Sequence, residues 1–236
     1  GSGYDEVLRN VFASGEMENF LQFDGVSGLV GTGLFKTAPL RALIAKYVDS
    51  TTLEAVAQQY KLGRKLFIIT TNLDAQRTAI WDMGRIAASG HPKALDLFRM
   101  VMEASASIPG IFSPVLIDVE ADGKAFAEMH VDGGVTANIM VVPEAVLLAN
   151  KAMIPQALRP RVYIVINGKL DPYFEVVRPR TLRIAIRSFE TAVRANTRNT
   201  LLATYEFSKR RNWQINIAAI EDSVANQEKP GFDTAY

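Results

Sequence analysis

Apolar residues recur along this chain with two spacings. Val7, Leu8, Val11 and Phe12 follow the three-and-four spacing of a helix over Tyr4 to Ala13, with Gly15 placed to end it. Pro39 opens a second helical stretch through Leu40, Leu43, Ile44 and Tyr47, and Ser50-Thr51-Thr52 caps a third across Leu53, Val56 and Tyr60. Between the first two, Phe23 to Phe35 carries Gly25, Gly28, Gly31 and Gly33, so a mobile glycine-rich segment is expected at about 23–36. Lys65 to Thr71 is a compact, β-branched apolar run of the kind found in strands covered on both faces, and Val162 to Ile166 repeats the signature. Between these runs the pattern predicts strands at Gln76 to Trp81, Val115 to Val119 and Phe126 to Val131, and a helix from Pro92 to Ala106. A long helix over Arg180 to Arg210, with Ile186, Phe189, Val193 and Leu201 on one side, leads to a last strand at Gln214 to Ile220. Alternating strands and helices argue for a layered α/β sheet. No repeat or linker interrupts the pattern, so residues 1–236 read as a single domain.

Composition narrows the chemistry. A chain that is 48% hydrophobic and 22% charged is globular, and no apolar run approaches a membrane span. A net charge of +1 calls for no nucleic-acid partner, although residues 159–211 hold 12 Lys/Arg against 4 Asp/Glu. That basic third could meet phosphate or a membrane surface; the plainer reading is a solvated helix face. With no cysteine, thiolate nucleophiles and cysteine zinc sites are excluded, and two histidines, His91 and His130, leave little for histidine-based metal sites or triads. No metal and no cofactor is expected.

The informative stretch runs from Ala104 to Asn138. Ala104-Ser105-Ala106-Ser107-Ile108-Pro109-Gly110-Ile111-Phe112 ends a helix in small residues and turns into an apolar strand. Then Val131-Asp132-Gly133-Gly134 puts an aspartate at a strand end, where catalytic groups of α/β sheets collect. An aspartate there can deprotonate a nucleophile within hydrogen-bond reach, although Asp-Gly is also ordinary turn chemistry.

Taken together, these two boxes resemble the patatin-like phospholipases. Thr37-Ala38-Pro39-Leu40-Arg41 and Phe67-Ile68-Ile69-Thr70-Thr71-Asn72-Leu73-Asp74 support the resemblance, which spans nearly the whole chain. It implies a three-layer α/β/α sandwich and a serine acyl hydrolase that cleaves lipid or other carboxylic esters with a Ser-Asp dyad. It makes Asp132 the dyad aspartate and Gly133-Gly134 the turn that presents it. Bacterial relatives of this type are often envelope-associated, so the resemblance also allows export.

The sequence departs from the family in two respects. The family nucleophile sits in Gly-x-Ser-x-Gly and its oxyanion hole in a glycine-rich loop upstream, and neither motif occurs in these 236 residues. The nearest text, Gly25-Val26-Ser27-Gly28-Leu29, ends in leucine. The expectation is therefore a patatin-like domain incomplete at its N-terminus, inactive alone, whose sheet is completed by another segment or a second chain. Two alternatives stand beside it: a silent binding or scaffold module, and a self-contained hydrolase using Ser27. His130 lies two residues from Asp132 on one strand; packing beside the site is the plainer role, a metal pair the sharper one. Ser105 and Ser107 read as packing residues. Trp81, Trp213, Phe20, Phe23 and Phe35 read as core, and Arg178, Arg180, Arg183 and Arg187 as a solvated face.

Overall fold

A computed structural model describes residues 5–13, 32–140, 160–167, 169–172, 174, 176–177 and 179–221. They fall into two compact units that divide between Gly133 and Gly134. The architecture is mixed α/β. Among the described residues no helix is long and apolar enough to cross a membrane.

In the first unit, α1 (Asp5–Ala13) begins with Asp5 and Glu6, whose charge complements the helix N-terminus. α2 (Ala38–Tyr47) starts with Pro39 in its first turn and buries Leu40 and Ile44. α3 (Ser50–Lys61) is capped by Asp49 rather than by Ser50-Thr51-Thr52: the Asp49 carboxylate accepts the Thr52 N–H at 2.8 Å. That bond holds the Asp49 carboxyl below its ordinary value.

The strands pair as two hairpins. β1 (Phe67–Asn72) runs antiparallel to β2 (Arg77–Asp82), which leads into the short α4 (Met83–Ala87). After α5 (Ala94–Ser105), β3 (Val115–Ala121) runs antiparallel to β4 (Lys124–Asp132). Both strands are longer than the apolar pattern suggests, because Asp122 and Gly123, at φ 52° and 71°, form a two-residue turn that carries the pairing out to Ala121 and Lys124. β1 and β4 then pair at Thr70 to Asn72, giving the order β2-β1-β4-β3.

Opposed residues share a face, so Ile68, Trp81, Val115 and Ile117 lie together with His130 and Asp132. Phe98, Val101 and Ala104 of α5 join Val115, Ile117, Ile68 and Trp81 in one core cluster. Each fully buried side chain of that size stabilises by about 1.5–3 kcal/mol. β1 is buried only in its second half, with Phe67 exposed, so the strand is not covered along its length on both faces.

In the second unit, β5 (Arg161–Ile166) lies parallel to β6 (Gln214–Ala219), joined through α6 (Thr181–Arg211). A parallel pair needs such a crossover. Ile186, Phe189, Val193 and Leu201 are the half-buried positions the spacing predicts. Asn212 ends α6 in the left-handed conformation, where a short polar side chain is tolerated, and Trp213 packs edge-on to Phe207 at 5.4 Å. Ile164 is buried, but Tyr163 and Val165 beside it are exposed, so β5 too has one open face.

Candidate active site

Asp132 is the last residue of β4, opposite Thr70 of β1. Its N–H donates to the Ser107 carbonyl at 2.9 Å, and its own carbonyl accepts the Thr71 hydroxyl at 2.9 Å. Ser107 and Thr71 are buried, so these bonds are shielded from water and hold the end of the strand in one place. The bond to Ser107 joins the Ser-Ile-Pro-Gly and Val-Asp-Gly-Gly boxes, 25 positions apart in sequence.

Gly133 opens a 3-10 turn, Gly133–Val135, directly after the aspartate. A Cβ there would stand 2.5 Å from the Ile69 carbonyl oxygen, so only glycine lets β4 leave the sheet at this point. Gly134 follows within the turn. Beyond it, in the second unit, Asn196 donates to the Thr136 carbonyl at 3.0 Å and Asn138 to the Thr197 hydroxyl at 2.6 Å, tying this run to α6.

The Ser-Ile-Pro-Gly box meets a second partner. The N–H groups of Leu34 and Phe35 donate to the carbonyls of Gly110 and Ile111 at 3.2 and 2.9 Å, and Gly33 bridges Gly110 in parallel. A Cβ on Gly33 would lie 2.5 Å from the Ser113 nitrogen. Residues 32–36 are thus held against the box, and Phe35 joins the core beside Phe112. Ser27, with Phe20 and Phe23, lies outside the described residues.

His130 is packed beside the site. The Trp81 indole N–H donates to the Thr70 hydroxyl at 2.8 Å, and that hydroxyl meets His130 Nδ1 at 2.9 Å. The direction of that bond follows the histidine tautomer: where Thr70 donates to Nδ1, a neutral ring carries its own proton on Nε2. Nε2 lies 3.4 Å from a Glu128 oxygen, outside hydrogen-bond geometry. The Trp81 and His130 rings meet edge to face at 5.5 Å. Among the described residues no three His, Asp or Glu side chains group to hold a metal.

Ser105 closes α5, and Ser107 turns its hydroxyl to the Glu103 carbonyl at 2.8 Å, the packing role expected. Arg180 precedes α6 in extended conformation, Arg183 is exposed, Arg187 meets Glu190 at 3.3 Å, and Arg178 lies outside the described residues.

The spacing of residues gave no sign of an ion pair beneath the site. Glu103 sits on the buried face of α5 with its side chain only 4% exposed, and Arg41 of α2 grips it with two bonds of 3.0 and 2.8 Å. Those bonds and the carboxylate charge raise the Arg41 pKa further. Because the Ser107 hydroxyl in turn donates to the Glu103 carbonyl, the pair anchors the end of α5 just before Ser107, whose carbonyl receives the Asp132 N–H. A glutamate among Phe98, Val101 and Ala104 was the available signal, since a carboxylate on an apolar helix face requires a cation.

The profile of the patatin-like phospholipases matches residues 3–145, more than half of the chain. The chain belongs to that family. Membership places it among lipid acyl hydrolases at the level of class. No curated protein matches it.

Proposed function

We propose that the chain carries the aspartate of a Ser-Asp dyad that hydrolyses a carboxylic ester of a phospholipid or related lipid. In this reading Asp132 takes the proton of a serine hydroxyl as the oxygen attacks the ester carbonyl. The tetrahedral intermediate then collapses to an acyl-enzyme, with the proton passing to the departing alcohol. Water, deprotonated in its turn by Asp132, releases the fatty acid and restores the serine. The observation that carries the reading is the fixing of Asp132 at a strand end by Ser107, Thr71 and the glycine-only step at 133. Preorganisation of this kind is what a base acting without histidine needs. With no Gly-x-Ser-x-Gly among these residues, the reading takes the serine from a segment outside this sequence.

The test is hydrolysis of a p-nitrophenyl ester by the full-length gene product. Asp132→Asn should lower kcat by at least about 100-fold, the scale of a lost general base, while leaving the unfolding midpoint in place. Retained activity in that variant would overturn the assignment. Fluorophosphonate labelling of the 236-residue chain, lost on Ser27→Ala, would give the nucleophile to Ser27 instead. A folded full-length protein with no turnover would favour the silent module.

A further inference from the structure

A surface of the first unit that the dyad does not use concentrates apolar tips and cations in one tight turn. α3 ends in Lys61-Leu62-Gly63-Arg64-Lys65-Leu66 before β1 begins at Phe67. The Gly63 N–H bonds the Tyr60 carbonyl and the Arg64 N–H bonds that of Gln59, both at 3.0 Å, with Gly63 at φ 91°. This is the Schellman closure of a helix, in which the residue after the glycine ordinarily offers an apolar contact back to the helix. Here that position is Arg64, so the closure gains no such contact and Leu62 is left 77% exposed. Leu66 and Phe67, where the turn runs into β1, are 44% and 49% exposed.

Lys61, Arg64 and Lys65 belong to the same exposed turn, and none of the three has a carboxylate partner among the described residues. The Lys65 ammonium rests over the Tyr60 ring at 3.7 Å, which holds one charge in place. Next to the turn a cavity of about 350 Å³ opens, lined by Val56, Tyr60 and Leu66 with Arg64 and Lys65 among its walls. Its volume lies at the lower end of small-ligand sites.

From this arrangement we propose that the turn between α3 and β1 docks the protein on an anionic lipid bilayer. Leu62 and Phe67 enter the interface, Lys61, Arg64 and Lys65 meet headgroup phosphates, and the cavity receives the apolar end of a lipid held by Arg64 and Lys65. Charge complementarity selects this occupant. Three cations with no carboxylate partner among the described residues, in one turn with an exposed leucine, suit a dense anionic plane, which demands no matching shape, whereas a stable protein interface needs a far larger complementary patch. The proposal does not depend on the dyad, because it is read as binding without turnover.

The test is co-sedimentation of the chain with vesicles of phosphatidylcholine alone and with roughly 30% phosphatidylserine. Binding should require the anionic lipid and fall steeply between about 0.1 and about 1 M salt, as the Debye length drops from ~10 to ~3 Å. Each Lys or Arg to Gln change in the turn should weaken binding about fivefold, and Lys61→Gln, Arg64→Gln and Lys65→Gln together roughly 100-fold. Leu62→Asp should cost about tenfold or more through lost insertion. All four positions are exposed, so circular dichroism should show an unchanged fold. The proposal is overturned if the chain does not pellet, pellets equally with neutral lipid, or keeps its affinity in the triple variant. It is likewise overturned if Arg183→Gln with Arg198→Gln on α6 abolishes binding instead, or if Leu62→Asp only dissolves a dimer of this chain.

Discussion

Removing either half of the Arg41–Glu103 pair breaks the same two hydrogen bonds, yet the two losses should differ in size. The Glu103 side chain is 4% exposed and that of Arg41 is 70% exposed. Arg41→Ala strands a buried carboxylate. The penalty for an uncompensated buried charge is about 3–5 kcal/mol, and the lower end applies because the lost partner was largely in water. Glu103→Gln leaves an arginine that solvent already reaches and an amide close to the carboxylate in shape, so about 1 kcal/mol is expected. At about 2–4 °C per kcal/mol for a chain of this size, Arg41→Ala should lower the unfolding midpoint by about 6–12 °C and Glu103→Gln by about 2–4 °C. Adding Glu103→Gln to Arg41→Ala should recover stability, since it removes the stranded charge. Thermal and urea melts of the four proteins, fitted as a double-mutant cycle, give the comparison directly. Equal losses in the two single variants, or a double variant no more stable than Arg41→Ala, would refute the reasoning.

Two further substitutions probe the site itself. Gly133→Ala forces a Cβ to within 2.5 Å of the Ile69 oxygen and should destabilise by about 1–3 kcal/mol, visible as a lower urea midpoint. Thr70→Val removes the hydroxyl that joins the Trp81 N–H to His130 Nδ1, leaving two polar groups without their shared partner. A loss of about 1–3 kcal/mol is expected, with a changed Trp81 fluorescence; an unaltered melt would mean that water replaces the hydroxyl.

Much of the element plan is legible without coordinates. The three-and-four spacing of Leu40, Leu43, Ile44 and Tyr47 and the β-branched run at Phe67 to Thr71 point to the helix and strand found there. The hairpin of β3 and β4 was also within reach: Asp122-Gly123 between alternating strands is a strong turn signal, and the apolar pattern alone stops short of it because the strand tips at Glu120 and Lys124 face solvent. The N-cap of α3 shifted by one residue, as boundaries do when acceptor side chains stand in a row at Asp49, Ser50 and Thr51.

By itself, the order of residues pointed to most of the helices and strands, though not to the short α4, and to an aspartate at a strand end before two glycines and the family the motifs resemble. Tertiary structure alone decided that β1 pairs with β4 to give the order β2-β1-β4-β3, that Asp132 hangs from Ser107 and Thr71, and that Glu103 is neutralised by Arg41 from 62 positions away. The division has a physical cause. Helical and strand periods are local properties of backbone geometry, written within a few residues of each position. Pairing register, buried charge compensation and the close approach at Gly133 depend on which distant surfaces share one core, and the chain acquires those neighbours only when it folds.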